Sequence, residues 1–198
     1  MNKTNSTRTK RLIIRTLNEN DYEMWKEAHS LMLKPMNKWD VANKENTNLK
    51  KSDFKKMLKQ NIKHRNEESF IDYAVIDKKT NKYIGRVSLM NIIRSVTQSA
   101  FIGYILFNNY WGQGYAEEAV NGLINLAFKK HNLHRVVAGI EPQNKRSLKL
   151  AKKLGMRKEG ISKKVVLLRG EWQDLVQFAL TCEDRKMKWK GQVKLRRT

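Results

Sequence analysis

The stretch WGQGYAEEAV, Trp111 to Val120, does most to limit how this chain can fold. It joins an apolar, strand-like run, SAFIGYILF (99–107), to AEEAVNGLINLAFKKH, whose apolar residues recur at helical spacing. Two of the chain's 10 glycines, Gly112 and Gly114, fall at that junction. Glycine there permits positive φ and a close approach by another group. A tight turn feeding a helix gathers unpaired N–H groups at the positive end of the helix dipole, which suits a phosphate. Asn109, Gln113 and Tyr115 can add side-chain contacts. An ordinary turn ahead of a helix has the same spacing, so the pattern alone leaves both readings open. It is neither a Rossmann fingerprint nor a P-loop, because no Gly-Lys-Ser/Thr follows.

The elements around this junction can be read from periodicity. RLIIRTL (11–17) is a short strand. Asn18 caps a helix in ENDYEMWKEAHSLMLK that Pro35 ends, and 36–51 is a polar loop. Ser52 caps a second helix, DFKKMLKQNIKHR. SFIDYAVID and KYIGRVSLMNII flank the turn signal KKTN. HRVVAGIE (134–141) is a buried-type strand, and NKRSLKLAKKLG a short helix with Gly155 as its C-terminal cap. RKEGISKKVVLL and EWQDLVQFAL pair about Arg169-Gly170. Two early helices, then a largely antiparallel sheet interrupted by two more, predict an α+β (mixed α/β) domain over 11–181. Residues 1–10 read as a frayed, disordered basic end, and 182–198 as a basic, patternless tail.

A chain of 198 residues, 40% hydrophobic, suits one domain with a packed core. It contains no run of 18 apolar residues, hence no membrane span is expected, and the amino terminus lacks a signal-type apolar segment. The one cysteine, Cys182, has no internal disulfide partner, which points to the cytoplasm. Lys+Arg number 41 against 19 Asp+Glu, a formal +22 that attracts polyanions: nucleic acid, ribosome, anionic membrane surface or a phosphate-rich cofactor. A lysine-rich compositional bias gives the same balance. Residues 145–169 alone hold ten basic side chains against one acid, Glu159. The four histidines lack metal-ligand spacing and no metal is expected; His131 falls where a helix end favours a cation.

Three segments in order, GYILFNNYWGQGYAEEAV, LHRVVAGIEPQNKRSLKLAKKLGM and GISKKVVLLRGEWQDLVQFAL, resemble the GCN5-related N-acetyltransferase (GNAT) superfamily. Within it they are similar to the RimJ/RimL-type ribosomal-protein N-acetyltransferase branch. The resemblance implies a central, mostly antiparallel sheet with a splayed strand pair and helices on both faces. It implies acetyl-CoA as cofactor, its diphosphate on the turn of Gly112, Gln113, Gly114, Tyr115 and Ala116. Pantetheine would run along the strand edge near Leu106 and Phe107, much as a peptide adds to a sheet. An amine would attack the thioester directly. Ser147 would donate a proton or hydrogen bond to the leaving thiolate, Asn144 would bond the cofactor arm or fix the helix start, and Lys149, Lys152 or Lys153 would meet the 3′-phosphate.

The sequence departs from the wider family in places. Ala151 stands where many members have a tyrosine acid, Phe101 where many have a glutamate relay, and Asn109 where Arg or Gln is usual. Glu171, Asp174 or a water chain are then the candidates for the base. The resemblance favours a protein N-terminal α-amine as acceptor, such as that of a ribosomal protein; the surplus basic charge could face the ribosome, rRNA or an acidic partner, and the basic tail around Trp189 carries a nucleic-acid or membrane-surface signal. The chain is expected to be a monomer or homodimer. Two other readings stay open. One is a small-amine (polyamine or aminoglycoside) acetyltransferase whose acidic wall comes from Glu19, Asp21, Glu23, Glu67 and Glu68. The other is a weakly active CoA- or RNA-binding module.

Overall fold

The computed structural model describes residues 6–40 and 49–191. Along the chain stand β1 (Ser6–Arg8), β2 (Leu12–Arg15), α1 (Tyr22–Ser30), α2 (Lys51–Asn66), β3 (Phe70–Asp77), β4 (Tyr83–Ile93) and β5 (Ser99–Leu106). There follow α3 (Tyr115–Lys129), β6 (Arg135–Ile140), α4 (Lys145–Lys153), β7 (Arg157–Leu168) and β8 (Glu171–Thr181). The strands form one eight-stranded sheet in the order β1-β2-β3-β4-β5-β6-β8-β7. Neighbours pair antiparallel except β5 and β6, which run parallel. A parallel pair needs a crossover, and α3 supplies it.

Alternation along the strands divides the core. Ile71, Tyr73 and Val75 of β3 point to the face that α3 covers, while Ala74 and Ile76 meet Met24, Trp25 and Ala28 of α1. α2 lies beside α1, its Phe54 ring 5.2 Å from Trp25. α3 is apolar nearly all round because the sheet, the amino-terminal strands and α4 enclose it; Ala119, Val120, Leu123, Ile124, Leu126 and Ala127 are all buried. Gly122 lets α3 close on β2: a Cβ there would stand 2.3 Å from Ile14 Cδ1. Helices thus cover both faces of a mostly antiparallel sheet.

Local chemistry moves several expected boundaries. Residues 6–8, expected to fray, form β1 against β2; residues 1–5 lie outside the described part. Asn18 caps a 3-10 turn, Glu19–Asp21, and not α1 itself: it accepts from Asn20 N and its own N–H donates to Asp21, while Asp21, the N-cap of α1, makes no side-chain cap bond. α1 ends at Ser30, ahead of Pro35, and beyond it the Leu33 and Lys34 carbonyls accept from Asn108 Nδ2. α2 is capped at Lys50, not Ser52, and the Tyr22 hydroxyl donates to Leu49 O just before it. Of the predicted tail, residues 182–191 pack on the domain: Trp189 Nε1 donates to Asn132 O at 3.0 Å. Residues 192–198 lie outside the described part. The Arg169-Gly170 tip has both residues at positive φ, 54° and 80°, the conformation a two-residue hairpin favours. His131 is not a charged helix end. Burial lowers its pKa to about 4, helped by the Arg94 charge, and Tyr73 OH meets its Nε2 at 2.5 Å.

Candidate active site

β5 and β6 pair only at Ser99–Arg135, Ala100–Val136 and Phe101–Val137. Beyond Phe101, β5 follows β4 to Leu106, while β6 follows β8 to Ile140. The two strands therefore part, and their facing edges lose each other's hydrogen bonds. A cavity of about 250 Å³ fills the V, lined by Gly103, Tyr104, Ile140, Glu141, Asn144 and Ser147 among others. Phe107 N donates to Ile84 O, so this N–H belongs to the β4 ladder and not to the V. Strand alternation turns the backbone groups of Tyr104 and Leu106 to the β6 side. There the Leu106 carbonyl accepts from Trp111 Nε1 at 2.8 Å.

α4 begins over this opening. Asn144 Oδ1 accepts Ser147 N at 3.1 Å, the N-cap bond that places Ser147 in the first helical turn. The Tyr104 hydroxyl donates to Ser147 Oγ at 2.9 Å across the cavity. Ala151, one turn further along the same helix face, also lines it and is buried.

The glycine turn caps α3. Gly112 and Gly114 hold φ of +77° and +75°, and Gly114 is the N-cap, so the first amides of α3 point outward without a side-chain cap. A residue the sequence did not suggest braces this turn. Arg11, at the start of β2, donates through Nη1 to Gln113 O and through Nε to Glu118 in the first turn of α3. Its guanidinium lies 4.3 Å from the Tyr115 ring centroid. Glu118 also accepts from Thr9 Oγ1 and Arg11 N. Burial alone would raise the Glu118 carboxyl, but these donors outweigh it and hold it below the usual range. The Tyr115 hydroxyl is committed to Asp77 Oδ2, 2.8 Å away, and Gln113 offers its carbonyl inward to Arg11. Ala116 lies in the first turn of α3.

The turn, the splay and the α4 N-terminus lie along one stretch of chain, 101–151. Residues 11–157 match the family model for an acetyltransferase (GNAT) domain. The chain belongs to the GNAT acetyltransferase family. It is 28% identical over 181 residues to the [ribosomal protein uS5]-alanine N-acetyltransferase of Escherichia coli, covering 89% of this chain and 90% of that one. It is 38% identical over 112 residues to a probable N-acetyltransferase, YjcK, of Bacillus subtilis. That match covers 57% of this chain and 62% of YjcK, so this chain spans about three-fifths of that relative. Among solved structures, a ribosomal-protein-S5-alanine acetyltransferase from Vibrio fischeri superposes with TM-score 0.70 at 29% identity, covering 94% of this chain and 99% of the other. RimJ of Mycobacterium smegmatis, solved with a CoA-disulfide, shares the fold at TM-score 0.71 and 21% identity, covering 87% and 83%.

Acidic groups in this GNAT domain fall where sequence reading did not put them. Glu141, directly after β6, lines the cavity and is 5% exposed. It accepts from Arg169 Nη2, Trp39 Nε1 and Lys38 Nζ, so it ties the β7–β8 tip and the chain after α1 to the end of β6. Burial would raise its carboxyl; the three donors together hold it low. Asp174 instead accepts from Lys163 Nζ and Lys164 N on β7, and Glu171 from Gln173; neither lines the cavity. Glu19, Asp21, Glu67 and Glu68 pair with Lys55, Arg15, Lys63 and Arg94, and with Glu23 they lie outside the cavity lining. Of the candidate phosphate lysines, Lys153 pairs with Glu117 at 2.6 Å, while Lys149 and Lys152 are exposed on α4. Arg146 stacks over Trp111, its Cζ 4.7 Å from the ring centroid. Cys182 is buried, donates to Leu133 O, and is not part of the cavity wall.

Proposed function

We propose that the chain is an acetyl-CoA-dependent N-acetyltransferase whose acceptor is a protein N-terminal α-amine, with a ribosomal protein as the favoured class. One observation carries the reading: β5 loses its β6 partner on the same course that leads into the positive-φ glycine turn capping α3. An extended amide-bearing arm ending in a diphosphate fits that sequence of features. The outward amides of Gly114, Tyr115 and Ala116 would hold the diphosphate; the Tyr104 and Leu106 edge of β5 would pair with the arm. The arm's thioester then falls in the V, below Asn144 and Ser147. Lys149 would meet the 3′-phosphate.

Bound acetyl-CoA supplies an activated acyl carbon. The remaining work is this chain's own. Asn144 fixes the start of α4, so that Ser147 and the helix N-terminus face the V. Both favour negative charge on a departing sulfur. The amine nitrogen attacks the acyl carbon, the C–S electron pair leaves with sulfur, and the proton lost by nitrogen is replaced by one on the thiolate, so hydrogens balance. An α-amine, with a pKa near 8, needs little help to expose its lone pair. Among the described residues, Glu141 is the sole carboxylate in the cavity wall, and Arg169 and Lys38 already neutralise it. Such a wall attracts a polyamine or aminoglycoside weakly, which favours the α-amine.

The test is thiol release from acetyl-CoA with peptides bearing free or blocked N-termini, spermidine and an aminoglycoside. Release with free N-termini alone is expected. Release only with the polycations would reassign the acceptor. Loss of release with every amine, combined with salt-sensitive RNA binding, would leave a binding module.

A further inference from the structure

Ser147 does not face the cavity alone. Tyr104 reaches it from β5, in the part of that strand that has left β6, and its hydroxyl donates to Ser147 Oγ at 2.9 Å. We propose that Tyr104 is the positioning residue of the leaving-group step: by donating to Ser147 Oγ it leaves Ser147's own hydrogen free to point at the departing sulfur. The inference rests on the acetyltransferase reading above.

Hydrogen-bond capacity sets the role of each hydroxyl. A serine hydroxyl has one hydrogen and two lone pairs. In a first helical turn that hydrogen can rotate toward a backbone carbonyl or solvent, and then contributes nothing to a thiolate. A phenol donating to one lone pair fixes the rotor. The Ser147 N–H is already held by Asn144 Oδ1, so backbone and side chain are anchored from opposite walls of the V. Tyr104 is suited to donating without letting its proton go: burial raises its pKa, more than the Ser147 contact lowers it. It therefore stays a phenol through the reaction. No hydrogen leaves Tyr104; the amine loses one proton and the thiolate gains one.

The fold also explains why the phenol comes from the sheet. Ala151 follows Ser147 by one turn on the same face of α4, and both line the cavity with Tyr104. The alanine side chain leaves that part of the cavity to a ring arriving from β5. The phenol absent from α4 is thus supplied by the opposite wall, but as an orienting donor to serine.

The test uses the full chain and the peptide that releases most thiol, with Tyr104→Phe, Ser147→Ala and the double variant. Phenylalanine keeps the ring's packing and removes only the hydroxyl. Tyr104→Phe is expected to lower kcat by about tenfold with CoA affinity unchanged, the scale of one oriented hydrogen bond to developing charge. Ser147→Ala should lower kcat at least as much. The double variant should be no slower than Ser147→Ala, because the phenol acts only through the serine. The alkaline limb of the kcat–pH profile should be unmoved in Tyr104→Phe; loss of that limb would make Tyr104 a proton donor and overturn the positioning role. Multiplying defects, or a loss of CoA affinity matching the loss of kcat, would also overturn it. An inactive wild type would sink the acetyltransferase reading itself, whereas an active wild type with unimpaired Tyr104→Phe sinks this inference alone.

Discussion

Gly114→Ala separates the cost of a strained backbone from the cost of a spoiled phosphate cradle. Gly114 has φ +75°, where a residue with a Cβ loses roughly 1–2 kcal/mol. The new methyl would stand 3.5 Å from Arg11 Nη2, an ordinary contact, so no clash adds to that cost. A domain of this size loses roughly 2–4 °C of Tm per kcal/mol, and the variant should fold. Gly155→Ala is the matched control: Gly155 has φ +71°, nothing within 4 Å of its would-be Cβ, and a place at the far end of α4. Both variants should lose similar stability. On the proposed reading, only Gly114→Ala should lose CoA affinity, because its methyl would intrude on the amides proposed to hold the diphosphate. One forfeited hydrogen bond to a charged group is worth about 1.5–3 kcal/mol, or about 10- to 100-fold in Kd. Calorimetric titration with CoA, paired with thermal melts, reads both quantities. Equal CoA affinity in Gly114→Ala and wild type would refute the reasoning, as would equal losses of CoA affinity in the two variants.

Other sites carry further expectations. Arg11→Ala should weaken CoA binding and lower stability by about 1 kcal/mol, since it strips Glu118 and the Gln113 carbonyl of a shared donor; thermal melts and titration check this. Glu141→Gln should leave CoA affinity intact but raise the acceptor KM, as Arg169 and Lys38 lose their shared anion at the cavity mouth. Its stability cost should be about 2 kcal/mol, below that of a fully buried pair because both cations are partly in water. Neutral His131 makes stability depend on acid. Its folded pKa of about 4 lies below an unfolded value near 6.5, so the unfolded chain binds the extra proton between them. Stability is therefore full above about pH 6.5 and falls as pH drops toward 4, by up to about 3 kcal/mol. Denaturant melts across that range should show this slope, and His131→Asn should flatten it.

Much of the fold is legible because alternation and helical spacing are local. Strands β2 to β8 and the four helices lie about where periodicity places them, and the glycine turn announces α3. What escapes is whatever depends on distant partners. The chain just past α1 is tied to Asn108, a bond that no local pattern announces. Residues 6–8 look too polar for a strand, yet β2 offers them an open edge. Trp189 reads as a free aromatic in a basic tail until Asn132 takes its indole N–H. In the cavity wall, Asn144 and Ser147 are the residues that the family resemblance singles out. The Tyr104 bond spans 43 residues, and Arg11 and Glu118 stand 107 apart. Glu141 is the last residue of the predicted strand 134–141 and directly follows β6, so it is legible as an acid at a strand end. Its partners Trp39 and Arg169 carry no sequence signal that would pair them with it.

Arg11 and Thr9 place the first described strands in the same bonded unit as α3, the helix that the glycine turn caps. Occupying the turn and fastening the amino-terminal edge are therefore thermodynamically linked, and linkage works in both directions. A ligand that rigidifies the α3 start protects the peptide bonds around Lys10 and Arg11 from a protease that cuts after basic residues. By the same reciprocity, if the turn holds a diphosphate as proposed, trimming this edge should weaken CoA binding.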